Sequence, residues 1–334
     1  MDQVIVSVPE PKTQRRITVK HFVQVTAFTL GIISCASGVL TPPSALAAGM
    51  VLALTIDNPN HRLSHRAAQL LLKTSVVLLG FSMDLAAVLR AGESGVLFAA
   101  ATIGGTLVLG WLTGRALKID PKTSALVSAG TAICGGSAIA AVGTVIEADE
   151  SDISVAMGTV FLLNAVALYA FPLIGHRLGL SQTQFGVWAG ISIHDISSVV
   201  GAASRYGLTA LQTATAVKLS RALWIVPIAM GASHLFRQPG SEQGTTRPRV
   251  TVPWFIALFI AASMARTFIP QIQSHTSAIA GLAAIGLTLT LFLVGASITR
   301  RTLKTVGWRP MLQGIILWAC ISTASLAVIS HYFQ

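Results

Sequence analysis

Eleven stretches of predominantly apolar residues follow one another with mostly short polar connections, and no other feature of the chain restricts its fold so tightly. They cover approximately 21–40, 43–56, 66–88, 93–114, 123–146, 153–175, 183–204, 208–235, 251–270, 276–299 and 309–331. About 20 mostly apolar residues in a helix cross a bilayer core. Inside lipid a backbone must satisfy its own hydrogen bonds, which makes the helix the natural form for such runs. The stretch at 43–56, opened by Pro42 and Pro43, is the shortest. Charged residues make up only 10% of the chain, against about 25% for a soluble domain, so most of its surface is unsuited to water. The expected fold class is an all-α polytopic membrane protein with about eleven transmembrane helices.

Residues 1–20 are polar and basic, with Lys12, Arg15, Arg16 and Lys20, and lack a small-residue cleavage pattern; they are expected to form a cytoplasmic tail. Residues 21–334 then form a single transmembrane transporter domain, with a polar cytoplasmic linker at about 236–250 that is rich in Gly, Pro, Ser and Thr. Sorting the 23 Lys and Arg residues onto eleven alternating spans puts seventeen on the side of the N-terminus. Three, Arg90, Arg205 and Arg266, lie opposite, together with the acidic run Glu147, Asp149, Glu150 and Asp152. This bias predicts a cytoplasmic N-terminus and a periplasmic C-terminus. It also assigns the net charge of +11 to an inner surface facing anionic lipid, with no nucleic-acid partner. Cys35, Cys134 and Cys320 are scattered and suggest neither a disulfide framework nor a metal site; no cofactor is expected.

Two internal echoes stand out. VVLLGFS at 76–82 matches LFLVGAS at 291–297 in helices of opposite direction, as inverted repeats of transporters do. AGTAICGGS at 129–137 matches AGISIHDIS at 189–197, but in eleven simple spans those two segments run the same way, which does not suit an inverted pair.

The candidate site residues lie in the same region. Cys134, Gly135, Gly136 and Ser137 place paired glycines in mid-span, where each costs about 1 kcal/mol relative to alanine. A broken helix there would aim amide groups and a positive dipole end at an anion, although close packing through small residues explains the same glycines. His194, Asp195, Lys218 and Arg221 are ionisable residues at mid-span, where such groups usually face a cavity or a partner. Lys218 and Arg221 are three residues apart and share a helix face, and Arg offers a fork suited to oxyanions. A salt bridge from Asp195 to one of them is the bland alternative. Lys73 is close enough to a membrane surface to snorkel; Asn164, Thr288 and Thr290 read as packing groups. With Lys73, Lys218 and Arg221 against Asp195, the interior is net positive and prefers an anion, with His194 a candidate proton carrier.

The stretches LLKTSVVLLGFSMDLAAVL (71–89), AICGGSAIAAV (132–142), FGVWAGISIHDISSVVGAASRYG (185–207), AVKLSRALWIVPI (216–228) and LFLVGASI (291–298) resemble the YeiH-like family of bacterial inner-membrane sulfate exporters. The resemblance implies an architecture distantly similar to bile-acid and sodium/proton antiporter folds with crossed broken helices. It marks Cys134, Gly135, Gly136, Ser137, His194, Asp195, Lys218 and Arg221 as substrate-binding. Gly143-Thr144 and Ser197-Ser198 depart from the family pattern, where Ala-Pro and a Gln are expected. The function expected is secondary transport, with no catalytic residue: export of a small oxyanion such as sulfate or an organosulfonate across the bacterial inner membrane, with proton coupling and homo-oligomerisation both compatible. The rival is a cation/proton antiporter carrying its ion on Asp195. A remoter one is a membrane-embedded enzyme using Cys134 and His194.

Overall fold

The computed structural model describes residues 11–56, 61–83, 85–236, 254–297 and 306–332. These residues are helical, with no strand among them. The helices are α1 (Pro11–Ala36), α2 (Pro42–Thr55), α3 (His61–Gly80), α4 (Leu85–Ala116), α5 (Pro121–Ala132), α6 (Gly136–Val145), α7 (Glu150–Arg177) and α8 (Gln182–Ser192). They continue with α9 (Ile196–Tyr206), α10 (Leu208–Ala222), α11 (Ile225–Leu235), α12 (Trp254–Phe268), α13 (Pro270–Gln273), α14 (Thr276–Ser297) and α15 (Trp308–Tyr332). Each apolar stretch is thus helical. The segments Glu150–Arg177, Thr276–Ser297 and Trp308–His331 are each long and apolar enough to cross a membrane unaided. Residues 237–250 of the linker read at about 236–250 and the basic residues Arg300, Arg301 and Lys304 lie outside the described residues, as do residues 1–10 of the expected tail. Helix α1 begins at Pro11, ten residues earlier than the hydropathy of the first stretch indicates.

Local sequence sets several helix ends. Asp120 caps α5, its carboxylate accepting from the Lys122 and Thr123 amides at 2.8 and 3.3 Å, with Pro121 at the first helical position. Ser181 and Gln184 form a reciprocal capping box on α8. Helix α14 packs against α1, α2 and α3, and α3 packs against α12. The α2–α14 contact brings backbones together: a Cβ on Gly49 would collide with the Phe292 carbonyl, and one on Gly295 with that of Leu46. A second group unites α4, α5, α7, α8, α9 and α10 with α15.

Two of the eleven stretches turn back on themselves as helical hairpins. Helices α5 and α6 fold back on each other. The Lys122 ammonium, at the start of α5, donates to the Glu147 carbonyl beyond α6 at 2.7 Å. The Thr123 hydroxyl donates to Asp152. Leu126, Val127 and Ala129 pack with Ile139, Val142 and Ile146 along the hairpin. Helices α8 and α9 do the same: the Tyr206 hydroxyl donates to the Leu180 carbonyl at 2.6 Å, the Thr209 amide donates to Gln182 at 3.0 Å, and the Phe185 and Tyr206 rings stack at 3.8 Å. Each arm holds 10–12 residues. At 1.5 Å per residue that is about 15–18 Å, half of a hydrocarbon core of about 30 Å.

The single-span reading of 123–146 and 183–204 is therefore corrected, and with it the assignment of Glu147 and its acidic neighbours to the face opposite Lys122. Hydropathy measures how much apolar chain there is and is blind to a reversal within it. A third stretch, 208–235, is also interrupted, at Leu223–Trp224 between α10 and α11, without turning back on itself. In a variant whose native cysteines are replaced, cysteines introduced at Lys118 and Asp149 are expected to react with an impermeant maleimide from one face of sealed vesicles. Labelling from opposite faces would rule the hairpin out.

Candidate functional site

The tips of the two hairpins touch. Gly135, the N-cap of α6, has φ +66° and ψ −125°, a conformation open to glycine and strained for other residues. A Cβ built there would lie 3.4 Å from both the Asp195 Cβ and the His194 carbonyl oxygen. The Asn164 side-chain oxygen accepts from the His194 amide at 3.1 Å and ties the second tip to α7. Asn164 sits near the middle of Glu150–Arg177, so the tips meet at half the length of a spanning helix.

Four half-helix ends converge here: the carboxyl ends of α5 and α8 and the amino ends of α6 and α9. Helix α10 carries Lys218 and Arg221 on one face, 0% and 1% exposed. The Lys218 ammonium donates to the Ile193 carbonyl at 2.5 Å, at the carboxyl end of α8. One terminal nitrogen of Arg221 donates to the Ala132 carbonyl at the carboxyl end of α5; the other donates to the Thr102 hydroxyl on α4 at 2.8 Å. Each cation thus faces the negative end of a half-helix dipole. Asp195 caps α9, accepting from the Ser197 amide at 3.1 Å and from the Ser197 hydroxyl. The amino end of α6 alone has no side-chain cap. Beside it lies the buried Cys134 sulfur, 2.9 Å from the Ser137 hydroxyl. Among the described residues, neither Lys218 nor Arg221 pairs with a carboxylate; their partners are uncharged oxygens. The interaction expected as the bland alternative, a salt bridge from Asp195, is not formed.

The eight residues singled out from sequence are therefore brought to one place, at the two tips and on the helix that buttresses them. Cys134 and His194 are not joined by a hydrogen bond: both imidazole nitrogens are buried and without a partner among the described residues. Thr288 and Thr290 bond the carbonyls of Ala284 and Gly286 in their own helix, as packing groups do, and Lys73 is half-buried on α3. Sequence reasoning passed over Thr102, Thr131 and Trp318, and discounted Asn164. A polar side chain at the centre of an apolar run was the available signal, but it is shared by many interface residues.

The matching segments of the two hairpins meet at the tips, AGTAICGGS around one and AGISIHDIS around the other. Shifted by 60 residues, α5 and α6 fall on α8 and α9.

Comparison with known proteins places the chain among membrane proteins. The profile of the family described as Conserved hypothetical protein 698 matches residues 17–314. A UPF0324 membrane protein of Bacteroides thetaiotaomicron is 47% identical over 295 residues, spanning 87% of this chain and 86% of that protein. One from Porphyromonas gingivalis is 50% identical over 296 residues, 87% of each. A third, from Bdellovibrio bacteriovorus, is 45% identical over 304 residues, 91% of this chain and 93% of its own. No solved structure matches.

Proposed function

This chain belongs to the Conserved hypothetical protein 698 family of UPF0324 membrane proteins, and from that premise we propose that it is a secondary transporter of a small oxyanion, of the YeiH-like sulfate-exporter type, with no catalytic role. One observation carries the reading. Of the four helix ends at the hairpin tips, three are met by charged side chains, and the fourth, the amino end of α6, has no side-chain cap and lies near two buried cations that form no salt bridge with a carboxylate among the described residues. A positive helix end in a net-positive interior attracts an anion.

Nine crossings and two re-entrant hairpins entering from opposite faces make up the proposed topology of the described residues. The two sequence echoes then both relate elements of opposite direction, as inverted repeats require. Of the Lys and Arg residues, the corrected hairpins transfer only Arg177 between faces, which leaves sixteen on the side of the N-terminus against four. That asymmetry supports a cytoplasmic N-terminus and a periplasmic C-terminus in the bacterial inner membrane.

The carboxyl ends of broken membrane helices are the groups that coordinate coupling sodium in other transporters. Here Lys218 and Arg221 occupy both, as covalently attached cations. Purified protein in proteoliposomes is therefore expected to exchange radiolabelled oxyanions at a rate unchanged by replacing sodium with choline. Exchange of no oxyanion, with sodium or proton flux instead, would overturn the proposal in favour of a cation/proton antiporter using Asp195.

A further inference from the structure

We infer that Asn164, Trp318 and His194 form a donor-lined subsite that binds the oxygens of the carried oxyanion at the second hairpin tip; the assignment rests on the anion-carrier reading above. The three residues come from α7, the α8–α9 break and α15. The His194 imidazole lies against the Trp318 indole, with ring centroids 6.4 Å apart. The Asn164 oxygen is taken by the His194 backbone amide at 3.1 Å, which fixes the side chain's orientation and leaves its NH2 group pointing elsewhere.

That NH2 group, the Trp318 indole N–H and both His194 ring nitrogens are buried and have no hydrogen-bond partner among the described residues. Asn164 is 3% and His194 0% exposed. The hydroxyl of Ser322, one turn beyond Trp318, shares this condition. Buried polar groups are almost always bonded, so such a cluster marks a place where a partner belongs.

The chemistry of the unused groups identifies that partner. Asn164 and Trp318 offer three N–H donors that cannot accept, and neutral imidazole adds one more together with a single obligatory acceptor; the Ser322 hydroxyl serves either way. A metal cation would find one imidazole nitrogen and a hydroxyl, and no group of three His, Cys, Asp or Glu side chains that could hold a metal occurs among the described residues. An oxyanion supplies several acceptors at once and satisfies the surplus. Neighbouring groups hold the walls in place: Phe171 stacks on Trp318 at 5.8 Å, and the Trp188 indole donates to the Ser322 carbonyl at 2.9 Å.

Two substitutions isolate the donors. Trp318→Phe keeps a ring against Phe171 and removes the N–H. Asn164→Asp keeps an oxygen for the His194 amide and replaces the NH2 group with a second oxygen. Binding is measured on the full chain in nanodiscs with radiolabelled sulfate, phosphate and methanesulfonate, alongside thermal unfolding. Trp318→Phe is expected to weaken binding of the preferred anion about 10-fold at an unchanged unfolding midpoint, and Asn164→Asp at least about 100-fold. Wild-type affinity in both variants, with or without a loss of stability, would overturn the subsite and leave the carrier reading standing. If Asn164→Asp does not fold, Trp318→Phe decides alone. Failure of the wild-type protein to bind all three anions would overturn both.

Discussion

Replacing Arg221 with Gln is expected to reduce oxyanion exchange on the order of 100-fold in proteoliposomes, measured per folded protein. The guanidinium is 1% exposed and joins three elements: its own helix α10, the carboxyl end of α5 through the Ala132 carbonyl, and α4 through Thr102 at 2.8 Å. Glutamine removes the charge and the fork together. Hydrogen bonds to charged groups contribute about 1.5–3 kcal/mol each, and a factor of ten corresponds to about 1.4 kcal/mol. Some of the loss will appear as reduced stability, because the Ala132 carbonyl is left without its partner at a helix end. Thermal unfolding in detergent separates the two effects. Arg221→Lys is informative beside it: a point charge restores the positive field but reaches one oxygen where the fork reaches two, so intermediate exchange is expected. Wild-type exchange by Arg221→Gln would remove the cation from the transport site altogether.

The second large effect is expected at one of two adjacent glycines and not at the other. Gly135 has φ +66°, and its added Cβ would lie 3.3 Å from Val160 and 3.4 Å from Asp195, on the opposing hairpin tip. Gly135→Ala therefore combines backbone strain of about 1–3 kcal/mol with pressure on the contact between the tips. Exchange is expected to fall at least about 10-fold, with a lowered unfolding midpoint. Gly136 lacks a positive φ, and a Cβ there meets Met157 at an ordinary 3.4 Å, so Gly136→Ala should exchange at close to the wild-type rate. Wild-type exchange by Gly135→Ala would show that the tip geometry does not matter for transport.

The pair Gly135-Gly136 was visible in the sequence as a break, and the two residues looked equivalent there. Only the backbone conformation distinguishes them, because one closes the turn and the other begins α6. Lys218 and Arg221 were legible as buried cations sharing a face, since spacing alone puts them there. Their partners were not legible. The Ile193 and Ala132 carbonyls are backbone groups 25 and 89 residues away in sequence, with no side-chain signature. Asn164 was discounted for a related reason: a lone amide in an apolar helix is commonly packing glue, and its unsatisfied NH2 group becomes apparent only once its oxygen is seen to be occupied.

Composition by itself determined that this chain is helical and belongs in a membrane. Those properties follow from the free energy of transferring side chains between water and lipid, which depends on residue type and run length. Tertiary structure alone decided the path of the chain within that slab. A helical hairpin 25 residues long has the same apolar content as a helix that passes straight through, and the difference lies in whether Lys122 meets Glu147. That contact, and its counterpart between Tyr206 and Leu180, brings the two tips in from opposite ends and gathers the polar groups between them.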